Sequence, residues 1–84
     1  MNAAYRATIE RIARTTGMDP KVRREWQRVF RDAQRKWLAF RDADCNGAVA
    51  YEWFGGTGVT AAILGCKTEK TVARAKELRD RNER

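Results

Sequence analysis

Trp37-Leu38-Ala39-Phe40-Arg41-Asp42-Ala43-Asp44-Cys45 is the stretch on which the fold turns. It ends an amphipathic helical pattern and delivers one of only two cysteines to a glycine-containing connection. The other, Cys66, follows that connection near the start of a further helical pattern, so the spacing reads as a helical hairpin stapled at one end. A calcium loop is the rival reading of the same residues. Asp42, Asp44 and Asn46 would stand at loop positions 1, 3 and 5, with Gly47 at 6 and Val49 at the apolar position 8. Position 12 requires a bidentate glutamate, but Trp53 stands there and Glu52 comes one residue early. The hairpin is therefore preferred, and no metal or other cofactor is expected.

Upstream of Trp37, Asp19-Pro20 marks a helix start, with Asp as N-cap and proline at N1, where a missing N–H costs nothing. The helix it opens continues to about Asp44 with no Gly or Pro inside. Val22, Trp26, Val29, Ala33, Trp37 and Phe40 give it an apolar face, and Arg24, Arg28, Arg31 and Arg35 form a basic stripe opposite. Leu38 and Cys45 lie on a second line, displaced by roughly 100°. Two such lines imply two neighbours. One is a first helix from about Asn2 to Thr16, carried by Tyr5, Ile9 and Ile12 and ended by Gly17.

Downstream, Asn46-Gly47 reads as a turn, and residues 48–54 as a helical turn or irregular lid with Trp53 and Phe54 partly buried. Thr57 then caps a third helix running through Cys66 to about Arg79, and the polar tail Arg79–Arg84 is expected to fray. The fold class expected is all-α, with three main helices, the second and third forming an antiparallel hairpin.

Composition narrows the function. Eighty-four residues are too few for a large enclosed active site, and the absence of histidine removes the commonest general base and metal ligand. No nucleophile–base pair can be assembled, so an enzyme is not expected. Eighteen basic against 11 acidic residues suit an anionic partner or simple solubility. Two cysteines imply one disulfide in an exported chain or two buried thiols in a cytosolic one. They could hold a metal only with two further Cys or His ligands, which the chain does not supply. Gly65-Cys66-Lys67-Thr68 fails as a phosphate loop, because Cys66 intervenes between glycine and lysine. The arginine stripe lacks interleaved exposed aromatics, which argues against nucleic acid. No apolar run reaches the ~18 residues of a membrane span, and no signal peptide opens the chain.

Several motifs together resemble the LprI-like lysozyme-inhibitor family of bacterial exported proteins. Trp37-Leu38-Ala39-Phe40-Arg41-Asp42-Ala43-Asp44-Cys45 is similar to its Trp-Leu-x-Tyr-Arg-Asp-x-x-Cys signature, with Phe40 where Tyr is usual. Gly55-Gly56-Thr57 is similar to its Gly-Gly-Ser/Thr, and Cys66 stands at its partner cysteine. Thr71, Arg74, Leu78 and Arg79 match its closing Thr-x-x-Arg-x-x-x-Leu-Arg helix, and Asn2-Ala3-Ala4-Tyr5 its Asn-x-x-Tyr. The resemblance implies one LprI-like domain over residues 1–84, a Cys45–Cys66 disulfide and a periplasmic or secreted location. Members usually carry further cysteines upstream of Asn-x-x-Tyr, which implies that this part is trimmed or absent here. A protein partner is implied too, with lysozyme inhibition attributed to some members.

If the two cysteines bond across antiparallel helices, residue 45−k lies level with 66+k. That register predicts an Arg41–Glu69 pair and an Arg74 guanidinium packed on Trp37. The disulfide would close a loop of about 20 residues and contribute ~3 kcal/mol in the chain-entropy description. For function, an exported lysozyme-inhibitor-like binding protein is expected, with Asp42, Asp44 and Glu52 as a local acidic patch. A charge of +7 opposes approach to cationic lysozymes. The alternatives are an anionic envelope component or partner protein held by the arginine stripe, weak calcium binding, and cytosolic nucleic-acid binding.

Overall fold

The computed structural model describes residues 1–54 and 56–84. Four α-helices, α1 (Asn2–Ala13), α2 (Pro20–Ala43), α3 (Val49–Glu52) and α4 (Val59–Asn82), follow one another, and a π-helical turn at Asp44–Ala48 joins α2 to α3. Three are long and α3 is a single turn; the described residues contain no strand. Cys45 and Cys66 are bonded with their Cα atoms 5.6 Å apart, so α2 and α4 form the expected disulfide-linked hairpin.

Local chemistry sets the ends of α2. Asp19 caps it by accepting from the Lys21 N–H at 2.8 Å, and Pro20 takes the first helical position. The reversal before it uses Gly17, whose φ of +76° falls in the left-handed region that a Cβ disfavours. Arg23 then seals the end of α1, donating from Nη1 to the carbonyls of Thr15 and Met18, both at 3.0 Å.

The hairpin arms diverge away from the disulfide, and α1 lies in the gap. Tyr5 stacks on Phe30 of α2 with ring centroids 5.6 Å apart, and the Arg11 guanidinium sits 5.5 Å over Trp26. Toward α4, Ile12 and Leu78 are fully buried beside Ala4, Phe30 and Ala75. Asn82 receives the Arg11 Nε at 2.8 Å and donates to Thr8 Oγ1 at 3.0 Å. That clamp keeps α4 wound to Asn82, three residues past the expected Arg79, where the tail was expected to fray. The Cα radius of gyration is 16.4 Å, against roughly 12 Å for a compact chain of this length, and the long axis extends 56 Å.

The inward face of α2 differs from its apolar face by roughly 90°. Val22 and Val29 are half-exposed, Ala33 is exposed and Phe40 is 58 % exposed. Inside lie Arg23, Gln27, Phe30, Gln34, Leu38, Arg41 and Cys45, the line on which Leu38 and Cys45 already stood. Its polar members are accommodated because each is paired. Gln27 donates to the Ile9 carbonyl, Gln34 accepts from Arg74 Nε at 3.2 Å, and Arg41 donates to Thr71 Oγ1 at 3.2 Å.

Other local expectations also need correction. Asn46-Gly47 makes no chain reversal: the π-helical turn carries the helix through it and aims Cys45 at Cys66. Gly58, rather than Thr57, stands at the start of α4, with no side-chain cap. Arg41 pairs with Asp42 and Thr71 instead of Glu69. The guanidinium over Trp37 belongs to Arg41 of the same helix, at 5.5 Å. Arg74 reaches one turn further along α2 to Gln34, because an arginine side chain spans a helical turn and Gln34 lies on the inward line.

Candidate functional site

The bundle core and the disulfide occupy opposite ends of the rod. Ala4, Ile12, Phe30, Ala75 and Leu78 make up the core, whereas Cys45 is the one fully buried residue described between Asp42 and Lys70. The disulfide therefore anchors a tip built from the π-helical turn, α3 and the approach to α4.

A girdle of charge surrounds the base of this tip. Asp42 accepts from Arg41 at 3.0 Å and lies 3.8 Å from Lys67, while Asp44 pairs with Lys70 at 3.1 Å. Lys70 also sits 5.1 Å over the Phe40 ring. The expected acidic patch is thus largely offset by α4 lysines three residues apart, whose approach sequence reasoning missed. Of Asp42, Asp44 and Glu52, only Glu52 has no ionic partner among the described residues. The helical winding of 42–52 also spreads the oxygens of the would-be calcium loop. Among the described residues, no three His, Cys, Asp or Glu side chains converge on a point that could hold an ion.

Above the girdle stand the most exposed large apolar side chains among the described residues. Tyr51 and Phe54 stack on one another, with centroids 6.0 Å and planes 18° apart, yet are 76 % and 82 % exposed. Trp53, 50 % exposed, lies on the backbone of Gly58, where an added Cβ would meet its ring carbons at 3.1 and 3.2 Å. The Gly56 N–H closes the turn onto the Trp53 carbonyl at 2.8 Å. A depression of about 400 Å³ separates this tip from α4, bordered by Asp44, Val49, Trp53, Cys66, Glu69 and Lys70. Phe54 was expected to be partly buried; α1 packs at the far end of the rod, and among the described residues no third helix covers Phe54. One sequence signal could have exposed the site. Between Cys45 and Cys66 the only charged residue is Glu52, so a surface segment is left almost without solubilising charge.

The remaining site residues divide by position. Thr71 and Arg74 bridge to α2, and Leu78 is core. Trp37 is half-buried under Arg41, and Phe40 carries Lys70 on its face. Gly56 is exposed at the tip, and Gly55 lies outside the described residues. Arg24, Arg28, Arg31 and Arg35 are all exposed. Arg28 is engaged with Glu25, whose carboxyl is held below its usual range by that hydrogen bond. Asp32 is lowered in the same way by Lys36. The arrangement is an exposed aromatic tip, anchored by the disulfide, at the end of a rod.

No helix among the described residues is long and apolar enough to cross a membrane. Comparison with known proteins finds no matching curated protein and no matching solved structure. Residues 1–78 do match the family described as Lysozyme inhibitor LprI. That match takes in α1, α2, the disulfide, the aromatic tip and all but the last turn of α4, and on it the chain belongs to the LprI lysozyme inhibitor family.

Proposed function

We propose that this protein binds and inhibits a lysozyme, with the tip around Tyr51, Glu52, Trp53 and Phe54 as the contact. The observation that carries the reading is the stacked, exposed Tyr51–Phe54 pair beside Trp53 at the end of a rod. Exposed contiguous aromatics mark interaction surfaces, and buried aromatics dominate the energetics of binding. A narrow tip suits a concave target such as a glycan-binding cleft, where occupation excludes substrate without chemistry on the inhibitor's part.

Charge distribution removes the objection raised by the net charge. Residues 41–70 hold three bases (Arg41, Lys67, Lys70) and four acids (Asp42, Asp44, Glu52, Glu69), a local balance of −1. The rest of the chain carries +8, so the whole positive excess lies outside this segment. Screening over about 8 Å at physiological salt lets the tip approach a cationic enzyme while the basic trunk stays distant. Glu52, between the aromatics, is placed to accept from basic groups on such an enzyme.

Export to the periplasm or outside the cell is consistent with this role and with a disulfide that needs an oxidising compartment. The chain acts here by binding rather than catalysis. The test is lysis of bacterial cell walls by lysozyme, followed by turbidity. Inhibition near stoichiometric amounts is expected, weakened at least tenfold by the Tyr51→Ala/Phe54→Ala pair. Full lysozyme activity at large molar excess of the protein would overturn the proposal.

A further inference from the structure

A second depression, on the trunk and away from the aromatic tip, has a different chemistry. It lies where the start of α1 meets the middle of α2, with a volume of about 340 Å³, at the lower end of the range for ligand sites. Met1, Tyr5 and Leu38 supply apolar surface, while Arg31, Gln34 and Arg35 face it from α2. None of the residues bordering it is acidic. Arg31 and Arg35 are exposed and have no ion-pair partner among the described residues; Asp32, between them in sequence, pairs with Lys36. Gln34 commits its Oε1 to Arg74, leaving its amide N–H₂ without a protein acceptor among the described residues. The notch thus combines an apolar floor with two guanidiniums and an amide donor, and no carboxylate opposes them.

From this complementarity we infer that the notch binds a small amphiphilic anion, one carboxylate or phosphate head on a single apolar chain. The head is held by Arg31 and Arg35 through charge-assisted hydrogen bonds, and the chain lies against Tyr5, Leu38 and Met1. Neither part suffices: guanidiniums in water hold an isolated anion poorly, and so open a floor holds a neutral chain poorly. This site is independent of lysozyme binding, which uses the tip beyond the disulfide.

The experiment is a titration of the isotopically labelled 84-residue chain, followed by amide chemical shifts, with decanoate and separately decyl phosphate below their micelle concentrations. Saturable shifts are expected in residues 1–5 and 31–38, with at least tenfold weaker binding for Arg31→Gln/Arg35→Gln. Response to only one of the two anions identifies the head group and supports the site. Four outcomes overturn it: decan-1-ol binding as well as decanoate, acetate binding as well as decanoate, shifts centred on residues 49–54, or no saturable shift at millimolar ligand. The spectrum of the double variant without ligand reports whether its fold is intact. Should that variant misfold, Leu38→Gln, which polarises the floor, is expected to weaken decanoate by a similar factor, and unchanged affinity there overturns the site.

Discussion

Arg74 bridges the hairpin's interior. It is buried, and it donates to Gln34 Oε1 on α2 and to Glu77 Oε1 on its own helix, each at 3.2 Å. Replacement by alanine leaves the buried Gln34 carbonyl without a donor, and a loss of about 2 kcal/mol is expected in urea denaturation. A Gln34→Leu/Arg74→Met pair, which removes both polar groups, should recover part of that loss; if it is no more stable than Arg74→Ala, the Gln34 bond is not the source. Gly17 makes a second residue-scale case. Its φ of +76° costs an alanine about 1 kcal/mol, and Gly17→Ala should lower the melting temperature although no neighbour lies within 4 Å of the added Cβ. Unchanged stability there would mean that the link between α1 and α2 relaxes freely.

Among elements, the tip and the trunk are held by different means. The trunk has α1 wedged between α2 and α4 with Ile12 and Leu78 at its centre, whereas the tip has the disulfide, the Trp53–Gly58 contact and the ion pairs of Asp42 and Asp44 with Lys67 and Lys70. Reduction of Cys45–Cys66 should therefore speed hydrogen exchange across residues 46–65 well before it does so in α1 or the C-terminal half of α4. Simultaneous loss of protection in both would show that the two ends fold as one unit. If the tip is the lysozyme contact, the same reduction should weaken inhibition while most helical circular dichroism persists.

Viewed whole, the protein is a thin rod, and its solution behaviour should show it. Small-angle scattering of the monomer should give a radius of gyration near the Cα value of 16.4 Å, not the roughly 12 Å of a compact chain. Its acid response should be equally simple. Glu25, Asp32 and Asp80 have carboxyls lowered by hydrogen bonds from Arg28, Lys36 and Lys76. A lowered carboxyl contributes stability that is present above its unfolded value and is lost as pH falls through the folded one. With no histidine in the chain, helicity should stay level from pH 8 to about 5 and decline only below about pH 4. A transition near pH 6 would contradict this.

The long helices were legible in the sequence because capping is local, and the family resemblance implied the disulfide that closes the hairpin. Asp19-Pro20 opened α2 as local rules require, whereas the residues alone left Cys45 and Cys66 as either a disulfide or two thiols, and the bond joins them. The rotation of α2 was not legible. Apolar periodicity favoured Val22, Val29, Ala33 and Phe40, but burial followed Gln27, Gln34 and Arg41, whose partners come from α1 and α4. A buried polar group is tolerable only when its partner is known, and those partners lie far away in sequence. The candidate site was half legible for the same reason. The connection between the cysteines was visibly apolar and almost uncharged, yet only the tertiary structure decided that Tyr51, Trp53 and Phe54 stand exposed among the described residues. α1, a helix of 12 residues, can shield only one end of a 56 Å rod, and it packs at the end away from Tyr51 and Phe54.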